Sequence, residues 1–224
     1  MENRYSRTEK LIGSEGVDKL KSASVLVMGC GGVGSYAAEA VARAGVGRIT
    51  LMDGDDAADS NLNRQLVALT STIGRNKAEI MGERCRDINP DAEITAVPQF
   101  YKTGEELDIS EFDWIIDAID DVDAKVLLIK EAKDKGVNII SSMGAAGKFE
   151  THFITADISE TSVCPLAKVM RKRLRDIGIE HVTVVYSKEK PVPRDGVLGT
   201  MSYVPGSCGL ELAGHVIKEI VGVK

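Results

Sequence analysis

Residues 25–45, VLVMGCGGVGSYAAEAVARAG, join an apolar run to a glycine-rich turn and then to an alanine-rich segment. The apolar run predicts a buried strand of the kind found at the centre of parallel sheets. The segment after the turn predicts a helix over about 33–43, which two glycines end. RITLMD, residues 48–53, follows as a second strand. The stretch therefore predicts a βαβ unit of about thirty residues.

The same alternation of strands and helices continues along much of the chain. Further strands are predicted at 92–98, 114–120 and 137–142, and further helices at 76–88 and 122–135. This order predicts an α/β fold built on a doubly wound, Rossmann-like, mostly parallel sheet.

The pattern changes at residue 144. Strands are expected at 148–158 and 181–187, helices at 164–178 and 206–222, and a mobile loop at 188–200. We expect one domain over 1–224, in which 144–224 form an extension with antiparallel sheet and a basic helix. Residues 1–23 are expected to form a helical arm, with a short helix at 14–23 capped by Ser14.

Composition indicates a globular protein and excludes several kinds of site. Hydrophobic residues make up 43% of the chain and charged residues 28%, and no apolar run approaches the roughly 18 residues that cross a bilayer. The charged start, MENRYSRTEK, predicts a cytoplasmic protein without a secretory signal or membrane association. The 4 cysteines and 3 histidines are scattered without a CxxC pair, which argues against structural zinc and a disulfide framework.

The glycine turn predicts a nucleotide site but does not choose the nucleotide. Gly29, Gly31, Gly32 and Gly34 form GCGGVG between a strand and a helix. In that position the backbone N–H groups and the helix N-terminus can bind phosphate. Asp53, at the end of the second strand, is placed to accept hydrogen bonds from a ribose. Both a dinucleotide such as NAD and ATP fit this pattern.

Polar residues beyond Asp53 separate these alternatives. They are Asn61, Asn63, Arg64, Gln65 and Lys77. A nicotinamide site does not require two further cations, whereas cleavage of a triphosphate needs preorganised positive charge. Asp117 and Asp120, in IDAIDD, end a strand at the ligand-binding edge and are candidate Mg²⁺ ligands. Taken singly, each residue also has a structural explanation, but their combination around the glycine turn favours ATP.

Four stretches together resemble the ThiF/MoeB/HesA family, whose members are relatives of the ubiquitin-activating enzymes. They are GCGGVG, DGDDAADSNLNRQ, GRNKAE and DAIDD, and the resemblance covers nearly the whole chain. Members bind Mg-ATP, adenylate a carboxylate and release pyrophosphate. The resemblance therefore implies an ATP-dependent adenylating enzyme that uses Mg²⁺.

The resemblance also implies roles for individual residues. Asp53 would hold the ribose, and Asp120 would coordinate Mg²⁺. RYSR, residues 4–7, resembles an N-terminal motif that reaches ATP from the other subunit, which implies a homodimer with Arg7 as the candidate and Arg4 as the second choice. The implied catalytic residues are Arg64, Lys77 and Asp120. The residues implied around the phosphates are the four turn glycines with Asn61, Arg64, Gln65 and Lys77.

Other stretches resemble a narrower group, the tRNA threonylcarbamoyladenosine dehydratases. They are RYSRTEKLIG, INP, PLAKVMRKRLR and the strand at 181–187 with its basic loop. Those enzymes adenylate the carboxylate of a modified adenosine, and an internal nucleophile then displaces AMP, so no enzyme thiol is required. The lack of CxxC motifs fits this group. Cys164 stands where we expect an acid before PL, and an inert thiol is the simpler interpretation.

Residues 165–194 carry eight Lys or Arg and three Asp or Glu, against a net charge of −6 for the whole chain. Charge alone slightly favours the interpretation that this basic segment is a solvent-exposed helix face over the interpretation that it binds a polyanion. The resemblance to tRNA-modifying enzymes favours a surface that contacts the phosphate backbone of tRNA. The candidate tRNA-binding residues are Lys168, Arg171, Lys172, Arg173 and Arg175.

Three other functions stay open at this point. An adenylyltransferase that activates the C-terminal glycine of a ubiquitin-like sulfur-carrier protein would have a carrier or sulfur-relay protein as its partner. A non-catalytic nucleotide-binding module would recruit RNA through its basic helix. A redox enzyme is the weakest alternative, because it leaves Arg64 and Lys77 unexplained.

Overall fold

The fold is a seven-stranded sheet with helices on both faces. A computed structural model describes residues 3–223. The helices are α1 (Ser6–Ser22), α2 (Gly34–Ala44), α3 (Lys77–Ile88), α4 (Val122–Lys135), α5 (Pro165–Arg175) and α6 (Tyr203–Val221). The strands are β1 (Ser24–Met28), β2 (Arg48–Met52), β3 (Glu93–Val97), β4 (Trp114–Asp117), β5 (Asn138–Ser142), β6 (Ile154–Asp157) and β7 (Thr183–Tyr186). Over 3–223, none of these helices combines the length and apolarity that crossing a bilayer demands.

The strands follow the spatial order β3-β2-β1-β4-β5-β7-β6. β1 lies parallel to both of its neighbours, so that Val27 is opposite Leu51 on one side and Ile116 on the other. The strand order therefore reverses between β1 and β4, and open α/β sheets bind ligands at such a reversal. The predicted doubly wound, mostly parallel sheet is confirmed.

The antiparallel part of the sheet is one edge strand. β6 runs antiparallel to β7, with Ala156 opposite Val184. β7 itself runs parallel to β5, with Ser141 opposite the same Val184. The predicted antiparallel part of the C-terminal extension is confirmed as the β6–β7 pair, and β7 also joins that pair to the parallel strands.

Alternate residues of β1 pack into two apolar clusters, one on each face of the sheet. Val27 belongs to the cluster under α2 and α6, which includes Leu212. Leu26 belongs to the opposite cluster, with Leu128 of α4 and Met170 of α5. Because both faces are covered, β1 is buried along its whole length, as its continuous apolar sequence predicted.

Two predicted boundaries differ from the structure for local reasons. The helix expected at 14–23 is the second half of α1, which continues on the other side of Gly13, where a φ of 73° interrupts the helical backbone. The strand expected at 148–158 shrinks to β6, because the chain just before it bonds to a later loop. There the Gly147 N–H donates to the Gly199 carbonyl oxygen at 2.7 Å.

Candidate active site

A cavity of about 780 Å³ opens at the carboxyl edge of the central strands. Its wall is formed mainly by the segments that follow β1, β2, β4 and β5. The volume lies within the roughly 300–1,000 Å³ typical of small-molecule sites. The cavity therefore occupies the place where the strand order predicts a ligand.

The four glycines of the turn have two kinds of role. Gly29 has a φ of +90°, and a Cβ on Gly34 would lie 1.7 Å from the Gly29 carbonyl oxygen. These two positions therefore shape the turn itself. Gly31 and Gly32 line the cavity, where the absence of side chains leaves the backbone open to a ligand. α2 begins at Gly34 and adds partial positive charge at the same place.

The Asp53 carboxylate lies on the cavity wall and fixes the loops on either side. Its Oδ2 accepts a hydrogen bond from the Cys30 N–H at 2.6 Å, and its Oδ1 accepts one from the Asp55 N–H at 2.8 Å. Burial raises the pKa of Asp53, although these hydrogen bonds and the nearby Lys77 oppose that rise. The carboxylate is thus held at the end of β2, where the sequence predicted a ribose ligand.

Lys77 is buried at the cavity wall and forms an ion pair with Asp55. The distance from Lys77 Nζ to Asp55 Oδ2 is 2.9 Å. Lys77 is the first residue of α3, and Asn76 caps that helix by accepting two backbone hydrogen bonds. The Asn76 side-chain amide also donates to the carbonyl oxygens of Asp53 and Asp55. The start of α3 is therefore tied to the loop after β2, which fixes Lys77.

The SNLNRQ segment places Arg64 and Gln65 on the cavity wall. Arg64 Nη1 donates to the Ser60 carbonyl oxygen at 2.7 Å and to Asn63 Oδ1 at 2.8 Å. Gln65 is buried, and its Oε1 has no hydrogen-bond partner within residues 3–223. A buried amide oxygen without a partner is uncommon.

Asn61, predicted beside the phosphates, lies behind the cavity wall rather than on it. The side chain is buried, and its Oδ1 accepts a hydrogen bond from the Ala58 N–H at 3.2 Å. In this structure Asn61 therefore shapes the turn that presents Arg64.

The two candidate metal ligands after β4 have different environments. Asp120 is exposed on the cavity wall and has no hydrogen-bond or ion-pair partner within residues 3–223. Asp117 is fully buried, with its Oδ2 2.8 Å from Lys125 Nζ and 2.6 Å from Ser141 Oγ. Lys125 Nζ also donates to the Ile119 carbonyl oxygen at 3.0 Å. The buried pair anchors the loop that carries Asp120, and Asp120 is the acid open to a ligand.

The wall after β5 carries a buried lysine and a buried thiol. Lys148 is 3% exposed, and its Nζ donates to the Glu189 carbonyl oxygen at 2.6 Å. Burial lowers the pKa of Lys148. Cys164 is also buried, and its Sγ would lie 3.4 Å from a Cβ on Gly144. Both residues line the cavity, and neither is open to bulk solvent.

The basic side chains of α5 fall into two groups. Arg171 Nη1 donates to the Thr161 carbonyl oxygen at 2.8 Å, and Arg173 lies 2.5 Å from Asp123 in an ion pair. The remaining three side chains are exposed and make no ion pair within residues 3–223. They are Lys168, Lys172 and Arg175. A nucleic-acid contact on this helix would therefore depend chiefly on these three.

The N-terminal arginines lie away from the cavity of their own chain. Arg4 is 3.7 Å from Asp91, and Arg7 is exposed on α1. Neither contributes to the cavity wall within 3–223. Contact between Arg7 and a nucleotide in a second subunit stays a prediction.

Comparison with known proteins identifies the family. The model of the ThiF family matches residues 5–224, nearly the whole chain. The chain belongs to the ThiF family. The sequence resemblance is thereby confirmed, and it extends beyond the glycine turn to the C-terminal extension.

Among members of the ThiF family, the similarity differs in extent. The tRNA threonylcarbamoyladenosine dehydratase of Bacillus subtilis is 42% identical over 243 residues, covering 99% of this chain and 96% of the relative. Structures of the E. coli tRNA N6-threonylcarbamoyladenosine dehydratase, TcdA, in complex with AMP and with ATP each give a TM-score of 0.91 at 34% identity, covering 98% of this chain and 94% of that one. The E. coli sulfur carrier protein ThiS adenylyltransferase is 40% identical over 123 residues, covering 53% of this chain and 49% of the relative. The dehydratases thus match much more of the chain.

Sequence reasoning missed two residues that line this ThiF-family cavity, Asp55 and Lys148, and one that supports its wall, Asn76. The sequence does contain a signal for Asp55, because in the DGD motif it stands two residues after Asp53, the predicted ribose ligand. Asn76 also had one, because asparagine directly before a predicted helix is a common N-cap. The sequence contains no signal for Lys148, because a lysine is normally exposed and nothing in the adjacent sequence predicts that this one is buried.

Proposed function

We propose that this ThiF-family protein catalyses the ATP-dependent dehydration of threonylcarbamoyladenosine in tRNA, which closes a ring on that nucleoside. The observation that carries the proposal is the 42% identity to the B. subtilis dehydratase along 99% of the chain. The cavity supplies a chemical reason, because Arg64 and Lys77 lie on its wall beside the glycine turn. We further propose that the protein acts in the cytoplasm.

In this proposal ATP lies across the carboxyl edge of the sheet with its ribose at Asp53. The open backbone of the glycine turn and the N-terminus of α2 contact the phosphates. Arg64 and Lys77 stabilise the charge that develops on the leaving pyrophosphate. Gln65 lies on the same cavity wall, and Asn61 supports the turn behind it.

The proposed reaction has two displacements. First, an oxygen of the substrate carboxylate attacks the α-phosphorus, and the bond from that phosphorus to pyrophosphate breaks. Second, a nucleophile within the threonylcarbamoyl group attacks the activated acyl carbon, and the bond from that carbon to AMP breaks. The nucleophile gives its proton to solvent, and one carboxylate oxygen leaves with AMP, so the nucleoside loses the elements of water. No enzyme thiol takes part in this reaction.

Asp120 fits the proposed role of Mg²⁺ ligand. Mg²⁺ prefers carboxylate, water and phosphate oxygens, and Asp120 is exposed and unpartnered on the wall. Residues 3–223 contain no group of three or more His, Cys, Asp or Glu side chains that could hold a metal. Asp120 would therefore share the ion with the phosphates of ATP, where a bound ion neutralises phosphate charge.

The exposed cations of α5 are the proposed contact for tRNA. Lys168, Lys172 and Arg175 point to solvent from a helix whose Pro165 end meets the cavity wall. Cations in this position can contact tRNA phosphates while a modified nucleoside enters the cavity. Arg171 and Arg173 would act mainly by holding α5 in place, since both already bond within the chain.

A homodimer is the proposed assembly, with Arg7 completing the cavity of the partner. α1 is anchored to the body of the subunit, where the Tyr5 hydroxyl donates to Asn89 Oδ1 at 2.9 Å. This anchor holds Arg7 on the outer side of α1, away from the cavity of its own chain. A composite site in a two-fold symmetric dimer would use an arginine presented in this way.

Mass spectrometry of nucleosides from tRNA tests the proposal. We expect threonylcarbamoyladenosine to lose one water when modified tRNA is incubated with protein and ATP, and to stay unchanged without ATP. Unchanged nucleoside in both samples would contradict the proposal. Exchange of pyrophosphate into ATP that requires a protein ending in Gly-Gly would instead support the sulfur-carrier adenylyltransferase, which has a carrier protein as its partner.

A further inference from the structure

Lys148 is a buried cation on the part of the cavity wall that follows β5. Its side chain lines the cavity although only 3% of the residue is exposed. Lysine is rarely buried to this extent without a paired negative charge, because an ammonium loses much of its hydration there. The charge of Lys148 therefore needs an explanation.

No carboxylate within residues 3–223 forms an ion pair with that charge. Lys148 Nζ makes one hydrogen bond, to the Glu189 carbonyl oxygen at 2.6 Å, and has no ion-pair partner within residues 3–223. The Glu189 carboxylate lies nearby but accepts the backbone N–H groups of Phe149 and Glu150, each at 2.9 Å. An ammonium has three N–H donors. Lys148 thus has N–H donors to spare, and the Glu189 carboxylate acts on its charge without forming an ion pair with it.

A second buried lysine, Lys125 of α4, shows the contrast. Lys125 is fully buried, but its Nζ lies 2.8 Å from Asp117 Oδ2 and also donates to the Ile119 carbonyl oxygen. That ammonium is compensated by the chain itself. Lys148 lacks such a partner and lines the cavity, so a ligand can complete its bonding.

The position of Lys148 separates it from the proposed phosphate site. Asp53 follows β2, whereas Lys148 follows β5, and the strand order puts β1 and β4 between them. Three inter-strand spacings of about 4.8 Å place these two strand ends roughly 14 Å apart. Arg64 and Lys77 lie on the β1–β2 side with Asp53. Lys148 therefore lines the β5 side of the cavity, away from the proposed ribose and phosphate contacts.

We propose that Lys148 binds the carboxylate of the threonylcarbamoyl group and presents it to the α-phosphate of ATP. This inference rests on the proposed function. The carboxylate supplies the missing counter-charge, and one of its oxygens stays free to attack phosphorus. An adenosine without the threonylcarbamoyl group has no carboxylate, so Lys148 also gives the site its preference for modified tRNA.

Binding of two tRNAs to two proteins tests this role directly. Dissociation constants are measured for tRNA with and without the threonylcarbamoyl group, using the wild-type protein and Lys148→Met, in the absence of ATP. We expect the wild type to bind the modified tRNA about ten- to a hundredfold more tightly, the range for a hydrogen bond to a charged group. Lys148→Met should lose this preference and keep its affinity for the unmodified tRNA.

Two controls separate the possible outcomes. Lys172→Ala, on the exposed face of α5, should weaken the binding of both tRNAs equally and keep the preference for the modified tRNA. The KM for ATP should not change in Lys148→Met, and its thermal midpoint should equal or exceed that of the wild type, because an uncompensated buried charge has been removed. Lys148→Gln provides a second, polar variant if methionine disturbs the fold.

The inference is overturned if the preference survives in Lys148→Met or Lys148→Gln, if the wild type shows none, or if the main effect is a higher KM for ATP. Failure of the proposed function looks different. In that case the wild type itself would not dehydrate the nucleoside with ATP, whatever the behaviour of the variants.

Discussion

Lys77 Nζ lies 2.9 Å from Asp55 Oδ2, and the two partners differ sharply in exposure. The Lys77 side chain is 8% exposed, whereas that of Asp55 is 56% exposed. The cation is therefore fixed in the wall while its counterion stays in contact with water. An incoming phosphate can replace the carboxylate at Lys77, and the hydrated carboxylate loses little when it is displaced.

Replacing Lys77 with alanine should lower kcat at least a hundredfold, because loss of one preorganised donor to developing charge costs about 10²–10³ in kcat. Asp55→Asn leaves the cation in place, and its partner is well exposed, so we expect a loss of less than about tenfold. The measurement is kcat for dehydration of modified tRNA at saturating ATP, with thermal midpoints to confirm folding. Equal losses in the two variants would show that Asp55 is as necessary as Lys77.

A composite site predicts that two inactive variants restore each other. Arg64→Ala removes a cation from the cavity of its own chain, whereas Arg7→Ala removes one proposed to act in the cavity of the partner. A mixed dimer then has one intact site, and random mixing should recover roughly a quarter of wild-type activity. The two variants are unfolded together, refolded and assayed, with each variant alone as the control. No recovery in a mixture shown to contain mixed dimers would place Arg7 outside the site.

The fold of residues 24–142 could be predicted because each element carries its own local signal. β1 is a continuous apolar run, Asn76 and Asp121 cap the helices they precede, and Gly45 and Gly136 end helices in the left-handed conformation. The C-terminal extension was less predictable. Its parallel pairing of β7 with β5 joins segments distant in sequence, and the periodicity of a strand does not reveal which strand it pairs with.

The site was predictable where position along the chain determines position at the sheet edge. Asp53 follows β2 directly and Asp120 lies in the short loop after β4, so the topology alone brings them to the cavity. Burial and pairing were not predictable, because they depend on contacts between distant segments. Lys148 is the clearest case, since its only hydrogen bond within residues 3–223 is to Glu189. Arg171 is similar, because its bond to Thr161 ties a side chain that the sequence placed on the open surface, and it is only partly exposed.

Gly34 should tolerate no side chain, although it is the first residue of a helix. A Cβ there would lie 1.7 Å from the Gly29 carbonyl oxygen, whereas a Cβ on Gly214, within α6, would meet nothing within 4 Å. Gly34→Ala should therefore distort the turn and abolish ATP binding measured by calorimetry. Gly214→Ala should bind ATP normally and gain about 0.5–1 kcal/mol of stability, the usual advantage of alanine in a helix. Normal ATP binding by Gly34→Ala would contradict this geometry.

Binding of tRNA should depend on salt through the exposed cations of α5. Lys168, Lys172 and Arg175 are unpaired, so replacing each with alanine should reduce the slope of log K against log salt concentration by about 1. The measurement is tRNA affinity across a salt series. Lys218→Ala, on the exposed end of α6, is the matched control and should leave the slope unchanged. A triple α5 variant with the wild-type slope would exclude this helix as the tRNA contact.

Lys125 should be much more important for stability than an exposed lysine in the same helix. Its Nζ is 2.8 Å from Asp117 Oδ2, and both side chains are 0% exposed. Lys125→Met leaves the Asp117 carboxylate buried with no opposite charge, so we expect a loss of about 3–5 kcal/mol in the free energy of unfolding. Lys130 pairs with Asp134 at 2.6 Å on the surface of α4, and Lys130→Met should cost less than about 1 kcal/mol.

Urea unfolding of these two variants measures the difference, and Asp117→Leu combined with Lys125→Met tests its cause. If the unpaired carboxylate is responsible, removing it as well should recover part of the stability lost in Lys125→Met. In the presence of Mg²⁺, the double variant should still bind nucleotide less tightly than the wild type. Lys125 also bonds to the Ile119 carbonyl oxygen, and losing that bond loosens the loop that carries Asp120. Equal stability of Lys125→Met and Lys130→Met would show that the buried pair contributes no more than a surface one.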